Sequence, residues 1–154
     1  MYEGEQQPVV LHEAECDEGW NTARHGRVAW RTLFSSERTP TESLTAGIGE
    51  IGPGDRLKAH QHTPPEVYHI LAGEGAVLIR EEEHPVKTGT SVFIPGNAVH
   101  GLRNTGRDTL RFFYVFAADS FEEVDYRFQD ENGKEGDSPL EAELPRGEQE
   151  QRGE

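Results

Sequence analysis

Between residues 43 and 118 the chain alternates short apolar runs with tight-turn chemistry. The runs are Ser43–Ile51, Val67–Leu71, Ala76–Arg80, Ser91–Ile94 and Leu110–Phe116, all rich in β-branched and aromatic side chains. Gly52-Pro53-Gly54-Asp55, Gly73-Glu74-Gly75, Pro95-Gly96-Asn97 and Asn104-Thr105-Gly106 punctuate them. Only Glu122–Tyr126, behind a capping Asp119-Ser120, reads as a single helical turn. Short strands at regular spacing predict an all-β sandwich or barrel and exclude a parallel βαβ sheet. Leu44, Ile48, Ile70, Leu78, Phe93, Leu102, Phe112, Tyr114 and Phe116 are the expected core and cavity wall. Leu110–Phe116 is apolar on both faces apart from Arg111, so its outer side needs a cover. Trp20, Trp30 and Phe34 are the candidates, on their own barrel or on a partner's.

The period of two also organises the chemistry. His60 and His62 project from one face of a strand, roughly 7 Å apart, and can converge on one ion. Thr63-Pro64-Pro65 interrupts the ladder, after which Glu66, Tyr68 and Ile70 form the inward set and Val67, His69 and Leu71 the outward one. Two histidines and a carboxylate on an apolar wall are costly to bury without a cation. His100 opens a further strand after Pro95-Gly96-Asn97 and shares its face with Leu102 and Asn104. Arg56, Lys58 and Arg103 are assigned to outward positions unless a bulge intervenes. Tyr68 either exchanges a proton with a bound substrate or packs as a core aromatic. His69 reads as packed or partly exposed, and His84 as the tip of a hairpin within Glu81–Pro85. His12, His25 and Cys16 receive no chemistry.

These segments resemble the two motifs of the cupin superfamily. The first, G-x5-H-x-H-x3-E-x6-G, is met at Gly54, His60, His62, Glu66 and Gly73; the second, G-x5-P-x-G-x2-H-x3-N, at Gly89, Pro95, His100 and Asn104. Asn97 stands where the family has glycine; asparagine tolerates positive φ, so the turn is expected to change slightly and metal binding to survive. The resemblance covers residues 43–118. It implies a small single-domain jelly-roll β-barrel, usually dimeric, holding one divalent transition metal per subunit through His60, His62, Glu66 and His100. Nitrogen-rich donors of this kind suit Fe, Mn, Ni, Co or Zn and do not suit Mg or Ca.

Composition sharpens the picture at the ends. The formal net charge is −14, from 15 Lys plus Arg against 29 Asp plus Glu, and 33% of residues are hydrophobic. Residues 1–19 carry six acids and no base, and residues 129–154 carry nine acids and three bases. That leaves 12 bases against 14 acids for residues 20–128, the expected barrel domain. Residues 1–19 are expected to be an acidic arm, and 129–154 a disordered, solvated tail that cannot bury enough apolar surface to order itself. An acidic chain with an unbasic core excludes nucleic-acid binding and attraction to anionic membranes. One cysteine and no visible signal segment fit a cytoplasmic setting.

Four protein ligands on an octahedral ion leave two positions for a chelating, oxygen-rich small molecule. The expected activity is a metal-dependent oxygenase (a dioxygenase, hence an oxidoreductase) or a lyase, with Tyr68 or Glu66 carrying the proton. Alternatives are a cupin isomerase or decarboxylase, or a non-catalytic cupin that binds or senses a small ligand.

Overall fold

Eleven strands and one turn of 3-10 helix (Glu13–Glu15) make up the computed structural model, which describes residues 7–21, 26–36, 41, 43–118 and 127–128. The strands are β1 (Glu18–Asn21), β2 (Val28–Phe34), β3 (Thr45–Ile51), β4 (Arg56–Gln61), β5 (Glu66–Ala72), β6 (Glu74–Ile79), β7 (Glu82–Lys87), β8 (Ser91–Ile94), β9 (His100–Asn104), β10 (Leu110–Phe116) and β11 (Arg127–Phe128). They form a six-stranded sheet, β1-β2-β3-β10-β5-β8, and a five-stranded sheet, β11-β4-β9-β6-β7, with all pairings antiparallel. This is the all-β, two-sheet architecture expected from the spacing of the runs. The acidic tail from residue 129 and the single turn at Glu122–Tyr126 lie outside the described residues.

The core sits between the sheets. On β10, Leu110, Phe112, Tyr114 and Phe116 are buried while Arg111, Phe113 and Val115 are half-buried, as strict alternation requires. The glycines of β3 make room for these rings. Phe112 lies directly opposite Gly49 and Tyr114 opposite Gly47. A Cβ at Gly49 would stand 2.4 Å from Phe112 Cζ, and one at Gly47 2.5 Å from the Tyr114 hydroxyl.

The structure corrects several expectations. Leu44 and Phe93 are 52% and 65% exposed and belong to no core. Ala76 and Val77 are the buried side chains of β6; Leu78 turns outward and is half-buried. Trp30 does not cover the outer face of β10: it lies inside, edge-on to Phe112 at 6.0 Å and to Tyr114 at 5.3 Å. Phe34 is half-buried at the end of β2, and the side chain of Trp20 is outside the described residues. His84 sits mid-strand on β7 opposite Val77. The hairpin turns instead at Arg80-Glu81, where Arg80 takes φ 59°. Its neighbour Pro85 is tolerated because β7 is an edge strand with no ladder bond to lose on its open side.

Residues 12–18 lie against the six-stranded sheet and are tied to it by charge. Glu13 pairs with Arg111, which also donates to Glu50 at 2.8 Å. Arg31 donates to the carbonyls of Glu13 and Cys16 and lies 3.7 Å from Glu18, while Cys16 is buried. His12 caps the 3-10 turn by accepting from the Ala14 N–H.

Candidate metal centre

A turn, a bulge and a proline break bring the first two histidines together. Gly52-Pro53-Gly54-Asp55 closes with Asp55 N–H donating to the Gly52 carbonyl, and Gly54 takes the positive φ of 84° that its missing side chain permits. Beyond it, β4 pairs Leu57 with Leu102 but His60 with His100, a register shift that places one extra residue on β4. Positions 56, 58 and 60 would share one face in a regular strand. The bulge lets Arg56 and Lys58 lie on the outer side while Leu57 and His60 turn inward and are buried. His62 follows the strand and is buried too.

The second motif clasps the first. Asn97 N–H donates to the His62 carbonyl at 2.7 Å, and the Gln61 amide donates to the Asn97 carbonyl at 3.0 Å. Asn97 adopts φ 64°, the left-handed conformation that the sequence reading expected it to tolerate in place of glycine. A Cβ at Gly96 would meet the Thr63 carbonyl oxygen at 2.4 Å, so the two segments can approach only with glycine there. His100 follows at the start of β9, fully buried.

The donor atoms of His60, His62 and His100 all lie within 4.8 Å of one another, and this trio can hold a metal ion. Their rings are 4.3 to 5.7 Å apart. Each Nδ1 faces a backbone carbonyl: Lys58 O at 2.7 Å for His60, Pro64 O at 2.8 Å for His62 and Ala98 O at 2.9 Å for His100. A carbonyl only accepts, so each Nδ1 must carry the hydrogen, and the neutral ring then presents a bare lone pair at Nε2. Sequence reasoning found the three histidines but not these carbonyls, which no residue type announces.

Glu66 stands beside the trio at the start of β5, buried. Its Oε1 lies 3.1 Å from His62 Nε2 and 3.3 Å from His100 Nε2. Lone pairs facing a carboxylate repel unless positive charge sits among them. Protonating both rings would bury two neighbouring imidazolium ions; one divalent cation meets the same need. Two donors at right angles, each about 2.1 Å from an ion, are about 3 Å apart, so the observed separations fit a shared ion. Burial pushes the Glu66 carboxyl up, but hydrogen bonds and positive charge from His100 and His62, supplied by ring protons where no ion is bound, outweigh it and hold the group below its ordinary range.

Alternation places the rest as expected. Tyr68 and Ile70 follow Glu66 into the core, with the Tyr68 ring 6.2 Å from His100 and 5.0 Å from Phe112. Burial, then the Glu66 and Tyr114 charges, push the Tyr68 phenol well above its ordinary value. Phe116 lies 6.0 Å from His62. His69 faces outward and shares a 2.7 Å hydrogen bond with the Ser91 hydroxyl. Asn104 serves the far end of β9. Its amide donates to the Ile51 and Asp108 carbonyls at 2.8 Å each, and its oxygen accepts from Gly106 N–H. No helix among the described residues is long and apolar enough to cross a membrane.

Comparison with known proteins agrees with this architecture. A family model described as a cupin domain matches residues 47–116. The chain is 43% identical over 110 residues to the dimethylsulfoniopropionate lyase DddW of Ruegeria pomeroyi, a match covering 71% of this chain and 72% of that protein. It is 30% identical over 91 residues to an oxalate-binding protein of Thermotoga maritima, covering 58% of this chain and 75% of that one. The crystal structure of a predicted oxalate decarboxylase from Thermotoga maritima superposes with a TM-score of 0.65 at 26% identity, over 71% of this chain and 99% of the other. Motifs, barrel topology and relatives agree: the chain belongs to the cupin family.

Proposed function

We propose that this chain is a metal-dependent lyase acting on a small carboxylate that bears a sulfonium group, with dimethylsulfoniopropionate as the substrate to test. The observation that carries this reading is the 43% identity to a lyase of that name. A match of 110 residues in a chain of 154 cannot avoid residues 46–109, which contain the whole candidate centre. Between the oxygenase and lyase readings, the similarity favours the lyase.

Elimination from such a substrate removes a proton from the carbon beside the carboxylate. The C–H electrons form the double bond, and the C–S bond breaks with its electrons on sulfur. Neutral dimethyl sulfide and acrylate result. A divalent ion held by His60, His62, Glu66 and His100 supplies Lewis acidity toward the substrate carboxylate when bound. The chain's own groups do the rest. The proton passes to Glu66, which is ionised in this setting and has a carboxylate oxygen to accept it, while Tyr68 Oη enters as a phenol that donates a hydrogen bond to the substrate. The buried rings of Tyr68, Phe112 and Phe116 beside the histidines exclude water, and aromatic rings of this kind attract a sulfonium cation through their quadrupoles.

Purified protein is expected to hold about one metal per chain by elemental analysis and to release dimethyl sulfide, measured in the headspace. His60→Ala should lose the metal, and Tyr68→Phe should keep it while turnover falls about 100-fold or more. Metal bound but no dimethyl sulfide released would remove the substrate assignment. Full turnover in Tyr68→Phe would remove Tyr68 from the chemistry. The oxalate-binding relative supports a second reading, a non-catalytic ligand binder. Calorimetry showing oxalate bound without turnover of either compound would select it. A homodimer formed through the open face of Val67, Leu71 and Phe93 belongs to the same proposal; light scattering at the monomer mass would dismiss it.

A further inference from the structure

The outer faces of the two sheets are differently furnished with charge. At the N-terminal end the pairing is visible: Glu13 and Glu18 engage Arg111 and Arg31 on the outer face of the six-stranded sheet. The outer face of the five-stranded sheet carries a comparable set of cations. Arg56 lies directly opposite Arg103, and Lys58 lies one pleat further along β4. Arg103 is satisfied by a bidentate bond to Glu83, at 2.9 Å for each contact. Among the described residues no carboxylate pairs with Arg56 or Lys58. Like charges opposed across a ladder destabilise it, so this face calls for more anions than Glu83 provides. A shallow hollow of about 100 Å³ runs between Arg56, Lys58, Leu78, Gly101 and Arg103.

The chain leaves the described structure beside this face. β11 pairs on the edge of β4, with Arg127 opposite Gln61 and Phe128 opposite His60, and it runs toward Arg56. Continued pairing is blocked, because Gly26 bridges Leu57 on β4 and Arg27 N–H takes the Arg56 carbonyl at 3.1 Å. The inner side is filled by Leu57, Leu102 and Val77. From there 26 residues follow, with nine acids against three bases. The run of β4 from His60 to Arg56 is roughly 13 Å, far within their reach.

We propose that the acidic C-terminal segment, residues 129–154, docks on the outer face of the five-stranded sheet, its carboxylates neutralising Arg56 and Lys58. Charge sets this contact and no fixed geometry is needed. It therefore weakens once salt shortens the screening length to a few ångströms.

The chain has three lysines, Lys58, Lys87 and Lys134, which makes the test internally controlled. Lys87 is exposed at the opposite edge of the same sheet, on β7 and three strands from β4, where it lines a separate cleft with Gly73, Glu74 and Arg107. The full-length protein, mixed from ¹⁵N-labelled and unlabelled chains, is treated with a water-soluble carbodiimide that joins amines to carboxylates, then digested and sequenced by mass. Lys58 is expected to join Glu135, Asp137, Glu141 or Glu143 within single chains at least several-fold more often than Lys87 does. Asp130 is left out, since it would reach Lys58 merely by following β11. The preference should vanish in 1 M NaCl and fall in Arg56→Glu. The salt series decides the matter even where that variant does not fold. Equal joining at Lys58 and Lys87, a salt-insensitive preference, or no joining at Lys58 overturns the proposal. Products mixed in isotope, with none within one chain, overturn it in favour of a second copy as the occupant.

Discussion

Glu66 shows how one residue's environment defines a site. A carboxylate buried among Nε2 atoms is stable only with positive charge beside it, and three backbone carbonyls ensure that this charge is not supplied by simple tautomer exchange. The residue types and spacing were legible in the sequence because strand periodicity and a motif expose them. The carbonyl partners were not legible, because they depend on the local path of the chain at Lys58, Pro64 and Ala98. Asn97 is the residue at which sequence and structure meet most directly. Its departure from glycine was visible, and its left-handed φ follows. Asn97→Gly should leave metal content unchanged and shift the midpoint of thermal unfolding by little. Asn97→Val, β-branched at the same φ, should cost about 1–2 kcal/mol in a denaturant titration. Equal stability of the two variants would mean that the turn relaxes to negative φ.

At the scale of elements, the apolar strands were readable and the polar ones were not. β8 and β10 coincide with the predicted runs, since apolar alternation there is undiluted. β1 and β2, by contrast, are short or interrupted by charge, and β7 is so polar that it reads as a loop. It holds its place through cross-strand pairing with β6. The bulge in β4 was flagged only as a possibility and turns out to separate the cationic outer residues from the histidines. The glycines of β3 show a further dependence. In sequence, Gly47 and Gly49 weaken a strand; in the sheet they seat the rings of β10. Gly49→Ala should therefore destabilise by about 1–3 kcal/mol through overpacking against Phe112, read from the denaturation midpoint. Phe112→Leu in the same chain should recover part of the loss. A neutral Gly49→Ala would show that the ring can step aside.

For the whole molecule, charge is distributed by topology. The arm reaches Arg111 and Arg31, and the hydrogen bond from Arg111 outweighs slight burial to hold the Glu13 carboxyl below its ordinary range. A carboxyl lowered in the folded state stabilises above its unfolded pKa, and the gain disappears as pH falls through the folded value. The stability difference between the native chain and Glu13→Gln should thus be present at neutral pH and close on acidification below the usual carboxylate range. A difference that persists in acid would assign it to shape instead of charge. By itself the sequence determined the all-β class, the histidine and glutamate positions and the inward face of β5, because these rest on residue type and a period of two, and its two spaced motifs carried the resemblance to cupins. Tertiary structure alone decided the bulge that keeps Arg56 and Lys58 outward while His60 turns inward, the burial of Trp30, the exposure of Phe93 and Leu44, and the tautomers of the three imidazoles. Each of those depends on which strand lies alongside, and neighbours across a sheet are chosen by the fold and not by adjacency along the chain.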